Sequence, residues 1–167
     1  MLDSIVRRVR CNHALEHATI NLLSRSFPSA QIMGFSGPFG FTLLSTLSTE
    51  EVVPAAMRAL DRLKSGELGL RVHQNCGTNL VVTALLTTLA TLMGMAGVSG
   101  KPLRRKLERL SPVVLLNVVA LLVARPLGVW LQANVTTADD LSNTEIASIF
   151  TDYRGEWRRI RVNTRQS

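Results

Sequence analysis

Apolar positions recur along this chain with two distinct periods, and in two runs the polar positions disappear. From Asp3 to Ser26 the apolar residues follow a spacing near 3.6, which predicts an amphipathic helix over 3–26 ended at Ser26-Phe27-Pro28. From Ala30 the character changes. Ala30–Phe35 and Phe41–Ser45 are short apolar-rich stretches around Ser36-Gly37-Pro38-Phe39-Gly40, a pattern of strand, turn and strand. Ser48-Thr49-Glu50-Glu51 reads as a capping box opening a helix that runs to about Ser65 and stops at Gly66. Val52, Val53, Ala56, Leu60 and Leu63 form its apolar stripe, and Leu68–His73 then reads as a short strand.

The first unbroken apolar run, Leu80–Val98, has nineteen residues and no charge. At 1.5 Å per residue a helix of that length crosses the ~30 Å hydrocarbon core of a bilayer. Its threonines can bond back to their own helix, and Gly94 and Gly97 permit close helix packing. The second run, Pro112–Leu131, is interrupted by Arg125-Pro126. A soluble core hairpin does not account for the length of these runs or for the missing polar face of the first. Two membrane spans are therefore expected, with Arg125 snorkelling toward an interface where Trp130 also sits. After the spans, Asn134–Thr137 and Ile146–Asp152 are β-like, Tyr153–Glu156 makes a turn, and Trp157–Val162 alternates again.

The expected fold class is α+β. Residues 1–79 supply helix, strand, strand, helix and strand with the first chemical motif, and residues 132–167 supply a C-terminal β-hairpin to the same domain. A transmembrane helical hairpin at 80–131 (spans 80–98 and 112–131) is inserted between them, joined by a basic connector.

Charge adjusts this picture. The net charge of +7 invites nucleic acid, but the basic residues lie at the chain ends and in the connector Lys101–Arg109, not in one aromatic-interleaved patch. That distribution suits anionic lipid headgroups, so nucleic acid is not an expected partner. Residues 1–26 contain no uninterrupted apolar signal region, and the two cysteines do not form a disulfide framework. The expected location is a bacterial inner membrane. The positive connector argues for placing the loop in the cytoplasm. Arg62, Lys64 and Arg71 before the first span, and the difficulty of exporting a folded domain, argue for a cytoplasmic domain instead, which is the reading adopted.

The candidate chemistry lies on the first helix. His13-Ala14-Leu15-Glu16-His17 puts His13, Glu16 and His17 at i, i+3 and i+4, within one sector of the helix. Leu2, Val6, Val9 and Ile20 project onto the same sector, so the ionisable groups face inward, where an unpartnered charge is costly. Two imidazoles one turn apart can bind one divalent metal, with zinc the expected ion, while the adjacent carboxylate holds or deprotonates a bound water. A buried polar network without metal is the alternative. Cys11 projects to the opposite side of the helix.

A second motif, His73-Gln74-Asn75-Cys76-Gly77-Thr78-Asn79, stands where the first span begins. His73 or Cys76 would complete a zinc site with His13 and His17. Cys76 at a helix N-terminus is alternatively a nucleophile of a thiol hydrolase or acyltransferase, or simply an apolar filler among capping residues.

The H-x-x-E-H pattern resembles the signature of the inverted zincins, metallopeptidases in which both histidines bind zinc and the glutamate activates water. That resemblance implies His13 and His17 as ligands and Glu16 as general base. In that family the third ligand is a distant glutamate on another helix, whereas Glu50 and Glu51 here are explained as helix-start residues. The whole-chain layout resembles an uncharacterised family of small bacterial two-span membrane proteins. The leading expectation is a metal-dependent, hydrolase-like site at a membrane surface, against a non-catalytic protein with a structural or metal-sensing site and against the Cys76 thiol enzyme.

Overall fold

A computed structural model describes residues 2–98 and 100–166. The elements are α1 (Leu2–Ser26), β1 (Ile32–Gly37), β2 (Gly40–Ser45), α2 (Thr49–Lys64), a 3-10 turn (Leu68–Arg71), α3 (Gly77–Gly94), α4 (Leu103–Glu108), α5 (Leu110–Leu131), a π-turn (Gln132–Thr136), β3 (Thr144–Arg154) and β4 (Trp157–Gln166). The chain divides into two compact units: Met1–His73 with Gln132–Ser167, and Gln74–Leu131.

The first unit is an α+β layer. Its four strands form one antiparallel sheet in the order β1-β2-β4-β3, so β4 from the chain's far end inserts between the β1–β2 hairpin and β3. Leu43 pairs with Gly34 on one side and Ile160 on the other, and Phe41 pairs with Ser36 and Val162. The period of two therefore sends Phe41, Leu43, Ile160 and Val162 to the same face, where all four are buried. Against them pack Leu15 and Leu23 of α1 and Val52, Ala56 and Leu63 of α2. Burying each large aliphatic side chain is worth about 1.5–3 kcal/mol, so this shared core holds the two ends of the chain together.

α2 begins as its sequence requires. Ser48 and Glu51 cap each other, with the Ser48 N–H donating to Glu51 Oε2 at 2.7 Å. That exchange occupies the Glu51 carboxylate and lowers its pKa, chiefly through the Ser48 backbone hydrogen bond.

Local expectations are corrected at three places. Leu68–His73 is no strand: Leu68–Arg71 is a 3-10 turn, held because Asn21 Nδ2 donates to the carbonyls of Leu70 and Val72. Those carbonyls are spent on α1, which leaves no ladder to join. Asn134–Thr137 is likewise not β-like, since Gln132–Thr136 continues α5 as a π-turn, closed by the Thr137 N–H and hydroxyl on the Gln132 carbonyl. The third correction concerns α1. Leu2 and Val6 are exposed, whereas from Cys11 to Leu23 the helix is buried nearly all round. It runs between sheet, α2 and the 3-10 turn, and a helix enclosed on several sides needs no single apolar stripe.

The second unit is a helical hairpin. α3 and α5 are long and apolar enough to cross a membrane. Gly94 permits one close approach between them, since a Cβ there would lie 2.6 Å from Val113 Cγ2 and 3.2 Å from Val113 Cα, and Gly128 permits another, against Asn79. Gly97 does not serve this packing; it takes a positive φ of 76° in the turn after α3. Thr83 and Thr87 donate to the carbonyls four residues earlier, and Asn117 donates to Thr91 across the hairpin. Arg125 donates to Gln74, at the end of the hairpin that precedes α3. The connector contains the short α4, whose Leu103 and Leu107 are exposed.

Candidate metal centre

α1 carries the chemical motif through the middle of the first unit, so its side chains meet the segments that surround it. Asn12 is fully buried and fixes the helix to the sheet. Its Nδ2 donates to the Gly37 carbonyl at 2.7 Å, and its Oδ1 accepts from the Thr164 hydroxyl at 2.6 Å. One residue later the helix turns His13 toward the π-turn, and one turn further His17 toward the 3-10 turn.

The main-chain partners of the two imidazoles decide their chemistry. His13 Nδ1 lies 3.0 Å from the Thr136 carbonyl oxygen, and His17 Nδ1 lies 2.7 Å from that of Arg71. A carbonyl oxygen only accepts, so each Nδ1 carries a proton, and in the neutral ring the lone pair is then on Nε2. This is the second-sphere arrangement that orients histidines as metal ligands. The rings are 4.2 Å apart between centroids at an interplanar angle of 61°, and a ligand nitrogen of each lies within 4.8 Å of the other. His17 is 1% exposed and His13 half-buried.

His73 joins this group. Its ring centroid is 5.9 Å from that of His17. Its main-chain N–H donates to Oε1 of the fully buried Gln132 at 2.9 Å, and Asn21 holds the carbonyl just before it. All three histidines of the chain, from two distant segments, are therefore gathered within the first unit.

Glu16 is 5% exposed, and its carboxylate is engaged by β1. The Ser36 hydroxyl donates to Glu16 Oε2, and Gly34 lies under the same side chain. Cys76 belongs to the second unit, where it caps α3: its sulfur accepts the Thr78 N–H at 3.4 Å. Cys11, set aside on helical projection, is 1% exposed and donates weakly to the Asp140 carbonyl at 3.7 Å; burial pushes its thiol pKa up. Glu51, bound into its capping box, is a helix-start residue as its sequence position implies.

Sequence reasoning did not single out Gly34, Ser36, Gln132 or the carbonyls of Arg71 and Thr136. Gly34 and Ser36 carry a faint signal, a small residue and a hydroxyl two apart on one strand face. Backbone carbonyls carry none, because every residue has one.

Residues 8–149 match the model of a protein family described as a domain of unknown function, DUF6391. The chain is also 34% identical over 144 residues to the "Uncharacterized protein SYNPCC7002_A1392" of Picosynechococcus sp. (strain ATCC 27264 / PCC 7002 / PR-6), a match covering 80% of this chain and 68% of that protein. No solved structure matches. The matched span takes in the part of α1 that bears its histidines, the His73–Cys76 segment and both long apolar helices, and on that extent the chain belongs to the DUF6391 family.

Proposed function

We propose that the first unit is a metal centre, with His13 and His17 as ligands of a zinc-like divalent ion, and that this centre is hydrolase-like. The observation that carries the reading is the pair of Nδ1–H donors pinned to the Arg71 and Thr136 carbonyls, with ligand atoms of the two rings within 4.8 Å of one another, an orientation found for histidines that ligate metals. Two adjacent imidazoles fit zinc, which takes N and S ligands and leaves a position for water in catalytic sites. His73 is the third ligand favoured by its nearness to His17. Cys76 is the alternative third ligand, three residues further along the chain and hence within ~10 Å of His73 by covalent reach.

When bound, such an ion lowers the pKa of its water toward neutrality and polarises a carbonyl. His13 and His17 would hold the ion, and Glu16 would be the group placed to accept a proton. The H-x-x-E-H likeness to the inverted zincins points the same way. The apolar α3 and α5 favour an integral membrane protein of the bacterial inner membrane, with anionic headgroups beside the basic connector and the first unit in the cytoplasm. Reporter fusions within residues 101–106 and at residue 166 test that placement, and a periplasmic signal at 166 overturns it.

A second reading has its own support. The engagement of Glu16 by Ser36 suits a structural or metal-sensing site as well as a catalytic one. The thiol-enzyme reading rests only on the N-terminal position of Cys76 on α3. Elemental analysis of gently purified protein decides the primary claim. About one zinc-like ion per chain is expected, lost in His13→Ala and His17→Ala. Wild-type protein without stoichiometric metal refutes it. Turnover of ester or peptide substrates by the loaded protein then separates catalysis from sensing.

A further inference from the structure

We infer that Gly34 and Ser36 of β1 are positioning residues that seat the Glu16 carboxylate beside the metal centre; the inference rests on the metal reading above. β1 is an edge strand, and its alternation turns Gly34 and Ser36 toward α1 while Met33 and Phe35 face outward and are exposed. An edge strand gains nothing from glycine in its middle, where glycine is less favourable than alanine. Nor does the backbone require it, since Gly34 is not among the glycines with positive φ. What a side chain there would displace is the Glu16 carboxylate. A Cβ on Gly34 would lie 2.6 Å from Glu16 Cδ and 2.8 Å from Glu16 Cγ, with Oε1 nearer still.

Gly34 thus supplies a floor on which the carboxylate lies, and Ser36, one strand repeat away, supplies the donor that fixes its rotation through Oε2. Glu16 is one residue from His17 on a helix already locked by Asn12 and Asn21. Its Cα cannot move, so the remaining freedom is in its own side-chain torsions. Those torsions are what Gly34 and Ser36 remove. A buried glutamate with a structural role alone would be satisfied by any donor. A space cleared down to glycine, with a hydroxyl at its edge, selects one orientation of the carboxylate.

The test uses full-length protein in detergent and Co²⁺ as the probe, whose visible absorption reports its coordination. Outer-sphere partners typically contribute 10–100-fold to metal affinity, so Glu16→Gln weakens Co²⁺ binding by about that range and changes the visible band. Ser36→Ala and Gly34→Ala produce the same change, and Ser36→Thr, which keeps the hydroxyl, restores the wild-type spectrum. In a Glu16→Gln background Ser36→Ala adds no further loss, because its effect passes through Glu16. Circular dichroism confirms that each variant is folded, and Ser36→Ala carries the test if Gly34→Ala is not. Equal losses in both backgrounds, or wild-type binding by Ser36→Ala, overturn the inference and leave the metal centre standing. Failure of the wild-type protein to bind Co²⁺ removes the metal reading and this inference together.

Discussion

Asn12→Ala tests whether α1 is held to the sheet by one polar side chain. Asn12 is fully buried beside His13, and it makes two short hydrogen bonds: 2.7 Å to the Gly37 carbonyl and 2.6 Å from the Thr164 hydroxyl. Alanine removes both and leaves the two partners facing a gap. Each unsatisfied group costs about 1–3 kcal/mol when buried. Gly37 and Thr164 are only half-buried, so the low end applies, and the total is about 2–3 kcal/mol. For a unit of this size, 1 kcal/mol moves Tm by roughly 4 °C, giving a drop of roughly 8–12 °C. The assay is thermal unfolding in detergent followed by far-UV circular dichroism, with Thr164→Val and the double variant completing a cycle. Thr164→Val removes one of the two bonds, so coupling between the sites of about 0.5–1.5 kcal/mol is expected. A Tm within about 2 °C of wild type, or strictly additive losses, would refute the reasoning and place the α1–sheet attachment in apolar packing alone.

Three further outcomes follow. Glu51 has a carboxylate pKa held below its ordinary value of 4.5 by the Ser48 backbone hydrogen bond, so its folded-state pKa is the lower one. Its contribution is therefore present at neutral pH and lost as pH falls below about 4.5 through the folded value. Urea midpoints of wild type and Glu51→Gln should differ at pH 7 and converge in acid, and a gap that persists in acid contradicts the assignment. Iodoacetamide should modify half-buried Cys76 well before Cys11, which is buried and has a raised thiol pKa; added Zn²⁺ slows Cys76 alone if Cys76 is a ligand, and mass spectrometry of peptides reads both. Gly94→Val forces α3 away from Val113 at a cost of about 1–3 kcal/mol. Disulfide formation between cysteines placed by Thr91→Cys and Asn117→Cys should then fall, and unchanged cross-linking would show that the helices do not meet through Gly94.

The sequence by itself determined the elements whose signal is local. α1, α2 with its Ser48–Glu51 box, the β1–β2 hairpin and the two long apolar helices each follow from periodicity, capping or length within a single window. The i, i+3, i+4 relation of His13, Glu16 and His17 is equally local, since helical geometry alone fixes it. Tertiary structure decided what depends on partners distant in the chain. Leu68–Arg71 has a strand-like composition, but it forms a 3-10 turn whose Leu70 and Arg71 carbonyls are taken by Asn21 and His17 of α1. Asn134–Thr136 continues a helix because Thr137 closes the π-turn onto Gln132. The tautomers of His13 and His17 are set by the Thr136 and Arg71 carbonyls, 123 and 54 residues away, and the setting of Glu16 by Gly34 and Ser36. A helix specifies which side chains share a face, because its hydrogen bonds are internal. It does not specify what that face will meet. The partners of α1 include main-chain oxygens, two hydroxyls and a missing Cβ, groups with little or no signature of their own, and they acquire a role only when the sheet and the two turns close around the helix.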